Sequence, residues 1–407
     1  MNNLKSYFNL PRNIYILFFS RIINCIGSFV FPLLAILLTK KLGFSNEAAG
    51  TFTTVTIAIS GLGMLIGGKL SDKFGRRKII IISSFIGGLF FLSCAFLKTS
   101  PITAYMILLG DFFSTLQYPA TTAMLSDLTD KENRQKAFSL LYLGTNIGIA
   151  IGPLIAGFLI DSNLMLFFLF DSITTFLSLI LIIIFIKETL PKKEDMLKVK
   201  EDDAEKQEHG NILKVLLRRP FLLIFAFVSI FFSFSYIQYA FSLPLFVNSL
   251  FVKSGPQIYG FIMTTNAVTV ILCTIFITVI LQKLKPIINI AIAGLFFAIG
   301  FGMLYFTKTI FFLIMSTIIW TLGEIIITIN TRVFVANNTP VSHRGRFNAI
   351  IDFISESGFA LGPIIAGYFI AAYNIENIWV IIFFISVLGS IMMLALFIFA
   401  KIKKRDI

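Results

Sequence analysis

Apolar runs alternate with short polar breaks along almost the whole chain. Twelve runs fall at roughly 13–38, 47–69, 77–97, 102–125, 137–160, 163–186, 220–248, 257–281, 286–307, 309–336, 346–371 and 376–400. About 20 residues cross a hydrocarbon core of ~30 Å as a helix. The pattern therefore predicts an all-α membrane protein with twelve transmembrane helices. Several neighbouring runs are only a few residues apart, which predicts tight antiparallel hairpins. The first run is too long for a signal-peptide core, and no small-residue cleavage site follows it. It is read as the first span.

One long polar stretch, 187–219, interrupts this rhythm with nine basic and eight acidic side chains. It leaves six runs on either side. The predicted organisation is an N-terminal six-helix bundle over 1–186, a cytoplasmic linker over 187–219 and a C-terminal six-helix bundle over 220–407. A nearly neutral charged run of this kind suits a solvated linker, with or without a surface helix on the headgroups.

Basic residues set the orientation. With both termini inside, the inward segments hold 27 Lys and Arg and the outward segments hold five, Lys40, Lys41, Lys98, Lys253 and Lys308. Arg21 and Arg332 lie within apolar runs. The net charge of +13 is thereby explained by a membrane topology, and no nucleic-acid partner is needed. The expected location is the plasma membrane, multi-pass, with cytoplasmic ends.

The two halves repeat each other. Gly148, Gly152, Pro153 and Gly157 recur 210 residues later as Gly358, Gly362, Pro363 and Gly367, and Arg134 and Arg344 share the offset. Two copies of one six-span design predict a pseudo-twofold relation, with a cavity where the halves face each other.

Composition removes other classes. Hydrophobic residues make up 57% of the 407 and charged residues 14%, against about 25% charged in soluble chains. Cys25, Cys94 and Cys273 are scattered through apolar runs, and His209 and His343 stand alone. Neither a zinc site nor a disulfide framework is suggested. No phosphate-binding glycine loop is present. The expectation is a chain that is not an enzyme, with no cofactor and no metal, working as a monomer among membrane lipids.

The segment Gly68 to Lys78, GKLSDKFGRRK, lies between the second and third runs. It resembles the loop motif of the major facilitator superfamily at Gly68, Asp72, Gly75, Arg76 and Arg77. That resemblance implies twelve spans, two bundles and transport of a small molecule. It implies that Asp72 meets a helix end near Gly345, where aligned amide dipoles favour a carboxylate, and so helps gate the cytoplasmic side. Asp352, one turn from a basic loop, is a further gate candidate. The corresponding loop of the second half, Gln282 to Lys285, lacks the motif, which predicts an asymmetric gate. A plain positive-inside turn accounts for Arg76, Arg77 and Lys78 but not for Asp72 and both glycines.

The span-five glycines and Pro153 resemble the motif associated with antiporters of the superfamily. Two readings stand. Small residues every fourth position let helices approach closely, which suffices physically, and the family association points to export.

A charge at mid-bilayer costs at least ~2.5–3.5 kcal/mol, so ionisable residues inside spans mark function. The candidates for proton coupling or substrate binding are Glu324 and Glu356, with Arg21 and Asp111. Arg332 is also within a run. Glu324 sits near the middle of span ten, where an acid could carry a proton in one conformation and attract a cation in the other. Asp127 to Arg134 and Thr321 to Ile325 resemble the LmrP-like and MdtH-like group of multidrug:proton antiporters, whose matching glutamate acts in proton coupling and cationic-drug recognition. Departures exist. No acid lies in Gln238 to Pro244, and Leu141 stands where that group has an acid.

Forty-seven phenylalanines suit stacking and cation–π contacts, though most must face lipid or pack helices. Asn24, Tyr142, Asn146, Tyr236, Gln238 and Tyr239 are the polar cavity candidates. Asp127, Asp161 and Asp171 read as boundary charges or caps. The expected activity is alternating-access transport, with proton-coupled efflux of lipophilic or cationic drug-like compounds. The alternative is a carrier of the same superfamily for a nutrient, metabolite or lipid, in either direction.

Overall fold

Helix ends are legible in the local chemistry. The hydroxyl of Ser45 accepts from the amide of Ala48 at 3.3 Å, and Glu47 follows in the first turn, where a negative charge complements the helix dipole. This helix runs Asn46–Phe74 and stops at Gly75, whose φ of +110° lies in the region that L side chains avoid. Asn163 caps the helix Leu164–Phe185 through Leu166 N–H at 3.0 Å. Pro286 opens another at its first position, where the missing N–H has no intrahelical partner to lose.

The computed structural model describes residues 10–97, 99–129, 131–190, 220–281, 284–338 and 344–402. Most of the expected linker, 191–219, lies outside them, as do Lys98, Lys283 and the basic tail beyond residue 402. The regular elements are α1 (Arg12–Gly27), α2 (Leu34–Ile36) continued by a π-turn (Leu37–Lys41), α3 (Asn46–Phe74), α4 (Arg76–Leu97), α5 (Ile102–Thr115), α6 (Gln117–Asp127), α7 (Lys131–Ser162) and α8 (Leu164–Phe185). They continue with α9 (Pro220–Ile237), α10 (Ser242–Leu250), α11 (Gly255–Leu281), α12 (Pro286–Gly302), a 3₁₀ turn (Met303–Phe306), α13 (Ile310–Asn338), α14 (Arg344–Ser355), α15 (Ser357–Ala372) and α16 (Asn377–Ile402). The described residues contain no strand.

Among the described residues, ten helices are long and apolar enough to cross a membrane. The remaining two apolar runs are interrupted. The first breaks between α1 and α2 around Pro32, which has no N–H to give. There the amide of Phe29 donates to Asp171 Oδ2 at 3.2 Å, so the freed backbone is satisfied inside the protein. The other breaks at Leu116, between α5 and α6, where the Pro119 ring crowds the carbonyl four residues earlier. Large apolar side chains such as Leu65, Phe276 and Phe311 are exposed on helix surfaces; a bilayer gives that surface an apolar solvent.

The chain forms two compact units. One comprises Met1–Lys193 with Val247–Ala267; the other comprises Glu194–Phe246 with Val268–Ile407. In the first, α1 packs on α7 and α8, and α4 on α5, α6 and α8. The start of α11 also belongs here. Gly157 lies against the Pro256 carbonyl, Gly260 against that of Pro153, and Thr264 Oγ1 donates to Ala150 O at 2.6 Å. A Cβ on either glycine would collide with backbone. In the second unit, α12 packs on α13 and α16, and α9 on α14, α15 and α16. Its core is an aromatic ladder: Tyr239 stacks on Trp320, Trp320 on Phe301 and Phe301 on Trp379.

Candidate functional site

Three polar clusters stand out, each within one unit. In the second unit, Thr321 uses its hydroxyl on the carbonyl of Thr317, leaving Glu324, one turn on in α13, to reach sideways. Its Oε1 accepts from the phenol of Tyr236 at 2.9 Å. Tyr236 is held by rings: 4.8 Å from Tyr239, 6.0 Å from Phe297 in a stacked pose, 6.4 Å edge-on to Trp320 and 6.5 Å from Phe359. A half-buried carboxylate beside aromatic faces can hold an organic cation through charge and ring quadrupole together.

Gln238 is fully buried and spends its amide on its own turn, donating to Phe234 O at 3.1 Å and accepting from Ser242 at 2.5 Å. Glu356 caps the start of α15, its amide bonded to Asp352 O at 2.8 Å. Glu356, Asp352 and Arg332 are all exposed, and Arg332 is close enough to act electrostatically on Asp352.

The second cluster lies in the first unit. Arg21 Nε donates to Thr145 Oγ1 at 2.9 Å, and the guanidinium sits 5.4 Å from the Tyr118 ring centroid. Asn24 donates to Thr175 Oγ1 at 3.3 Å. Asp111 lies in the body of α5, where it shares a hydrogen bond with Ser60. The Ser60 hydroxyl also faces Thr56 O at 2.7 Å. Asn146 is buried and bonded to Tyr142 O at 2.9 Å, whereas the Tyr142 ring is half exposed.

The third cluster is the loop at Gly75. Asp72 is largely exposed and pairs with Arg76. Arg76 is buried and also reaches Asp127 Oδ2 at 3.4 Å, which accepts from Thr189 Oγ1 at 3.1 Å. Arg77 donates to Ile183 O at 2.7 Å. Gly68 faces open space apart from Pro119. Around Gly345 only the backbone helix is described, so the expected partner of Asp72 there lies outside the described side chains.

Glu188 completes this cluster. Its Oε1 takes the amides of Arg76 at 2.8 Å, Thr189 at 3.0 Å, Leu190 at 3.1 Å and Arg77 at 3.4 Å. Burial pushes its carboxyl up, but these four backbone donors outweigh that and hold it below the ordinary value. Its other oxygen occupies the space that a Cβ on Gly75 would need.

The motif glycines approach backbone or side chains closely. Gly148 meets Cys25, Gly152 the Ile26 carbonyl at 2.8 Å, Gly358 the Ile230 carbonyl and Gly362 Ile237, all measured to an added Cβ. Pro153 and Pro363 lie inside helices, and Gly367 is buried.

Sequence reasoning missed four partners. Asp171 is buried well inside α8, not at a boundary, and Asp161 pairs with Lys40 and Lys41 at 3.1 and 3.0 Å. Glu188 was one acid in a charged run, and Ser60 one hydroxyl in an apolar one. An acid one turn after an apolar run, like Glu188, is a usable signal for a cap on a neighbouring helix.

The family described as Major Facilitator Superfamily matches residues 17–340 and 252–406. The Na(+), Li(+), K(+)/H(+) antiporter of Planococcus maritimus is 25% identical over 362 residues, covering 82% of this chain and 84% of that protein. Multidrug resistance protein MdtH of Photorhabdus laumondii is 31% identical over 150 residues, 36% of this chain and 37% of its own. A crystallised POT family transporter in complex with a thioalcohol-conjugated peptide superposes with a TM-score of 0.72 at 14% identity, covering 96% of each chain. At that identity the likeness is one of fold.

Proposed function

The chain belongs to the Major Facilitator Superfamily, and on that premise we propose that it works as a proton-coupled antiporter expelling lipophilic or cationic compounds. Membership makes it a membrane transporter rather than an enzyme. The proposal adds twelve spans, in two pseudo-symmetric halves over 1–186 and 220–407 joined by the 187–219 linker, both ends cytoplasmic, a plasma-membrane location and a functional monomer. Alternating access then means that the halves rock about a central site.

The observation that carries the reading is the hydrogen bond from Tyr236 to Glu324 inside an aromatic surround. Glu324 exchanges its proton for a cationic cargo as the site changes which side it opens to. Glu356 and Asp111 are secondary acids, Asn24, Tyr142, Asn146, Gln238 and Tyr239 polar groups of the two bundles, and Asp72, Asp352 and the Arg76–Arg77 pair cytoplasmic gate residues. The likeness to a multidrug resistance protein supports the cargo class.

Reconstitution in liposomes with an imposed pH gradient tests it. Efflux of a fluorescent cationic dye should require the gradient, and Glu324→Gln should abolish coupled transport while expression and unfolding temperature hold. Full transport by Glu324→Gln removes the residue from the mechanism. A second reading, exchange of monovalent cations for protons, has the Planococcus antiporter in its favour. The same liposomes loaded with sodium or potassium decide between them.

A further inference from the structure

The first unit holds a polar pocket of ≈ 30 Å³ between α1, α4, α6, α7 and α8. That is room for one or two waters or the head of a small group. Arg21 and Ser84 line it, with Asn24, Gln117 and Tyr118, and none of its twelve wall residues is acidic. A buried arginine in a span ordinarily finds a carboxylate. Among the described residues Arg21 finds none: it hydrogen-bonds to the neutral side chains of Thr145 and Tyr118, which leaves several of its five N–H donors to spare.

A second, independent feature points the same way. Ser84 is 2% exposed, and its buried hydroxyl has no hydrogen-bond partner among the described residues. Ser84 belongs to a different helix from Arg21, yet both open on the same hollow. A buried polar atom without a partner is rare in folded proteins. A guanidinium with donors to spare and an unspent hydroxyl, beside an apolar wall of Leu17, Leu141 and Leu179, are complementary to an anionic acceptor on an apolar body.

We propose that this pocket is an anion subsite that takes the carboxylate of a carried molecule, with Arg21 as the charge partner and Ser84 as a second donor. The arginine fork suits a planar carboxylate, and the leucines suit an attached ring or chain. The inference rests on the reading of the protein as a carrier but not on Glu324. It widens the cargo from cations to molecules that also bear an acid.

Purified full-length protein in detergent, at constant ionic strength, is titrated with benzoate, benzamide and chloride while the thermal unfolding midpoint is followed. Benzoate should raise the midpoint and benzamide should not. The benzoate affinity should fall at least ten-fold in Arg21→Gln, less in Arg21→Lys and a few-fold in Ser84→Ala, which loses only an unspent hydroxyl and so remains folded. Glu324→Gln should keep the benzoate response, which separates this site from proton coupling. A midpoint shift from chloride that benzoate neither reproduces nor competes with assigns the pocket to an inorganic anion and overturns the cargo subsite. Equal responses in wild type, Arg21→Gln and Ser84→Ala overturn the site altogether.

Discussion

The phenol of Tyr236, on α9, donates to the carboxylate of Glu324, 88 residues away on α13, at 2.9 Å. This bond fixes which way the acid points. Removing only the hydroxyl, in Tyr236→Phe, should cost about 1 kcal/mol, or roughly five-fold in kcat/KM for a cationic dye. The stack on Phe297 and the tilted contact with Tyr239 remain, so the unfolding temperature should fall by no more than this one hydrogen bond contributes. Tyr236→Ala removes the stacks as well and should lose more of both. Initial rates in liposomes, set beside unfolding curves, check the split.

At the Gly75 loop, exposure decides what each acid does. Asp72 is 72% exposed and Asp127 21%, and both reach Arg76, at 11%. Asp127→Asn leaves the buried guanidinium with only a solvated partner and should cost about 1–2 kcal/mol of stability. Asp72→Asn should stay within about 0.5 kcal/mol, as exposed pairs do, yet slow transport if Asp72 gates. Equal stability losses in the two variants contradict this division of labour.

Glu188 gives a pH signature outside the membrane spans. Its folded carboxyl lies below the usual 4.5, so its contribution is fully present above that value and fades as pH falls through the lowered folded one. Glu188→Gln should therefore unfold at a lower temperature than wild type at neutral pH, and the gap should close in acid. Gly75→Ala should resemble it from the other side, since its φ of +110° is strained for alanine and the new methyl displaces Glu188. Detergent-solubilised melts across pH 3 to 7 read both.

How much of this could be read from residue order divides by distance along the chain. Apolar runs predict helices because the bilayer imposes length and backbone satisfaction locally. Gly75 was legible because a tight turn leaves a local mark, and Glu324 because an acid amid apolar residues is costly wherever it ends up. Pairings across the fold leave no such mark. The amide of Phe29 meets an acid 142 residues later, the amide of Arg76 meets one 112 residues away, and that Arg21 meets Thr145 and Tyr118 in place of an acid is visible only once its neighbours are in place. Pro32 and Pro119 lay in plain view, but the total hydrophobicity of each run masked the break that each imposes.

The broken first span offers the sharpest stability test. Phe29 N–H has lost its helical acceptor and is 0% exposed, and Asp171, at 5%, supplies the replacement, while the rings of Phe29 and Phe170 stack at 5.2 Å to close the site. Asp171→Asn retains a carbonyl oxygen for the same bond and should melt within about 0.5 kcal/mol of wild type. Asp171→Leu keeps the volume but orphans the amide, at about 1–3 kcal/mol. If the acid serves transport instead of architecture, the order disappears: Asp171→Asn folds normally but carries nothing, and the melting curves of the two variants coincide.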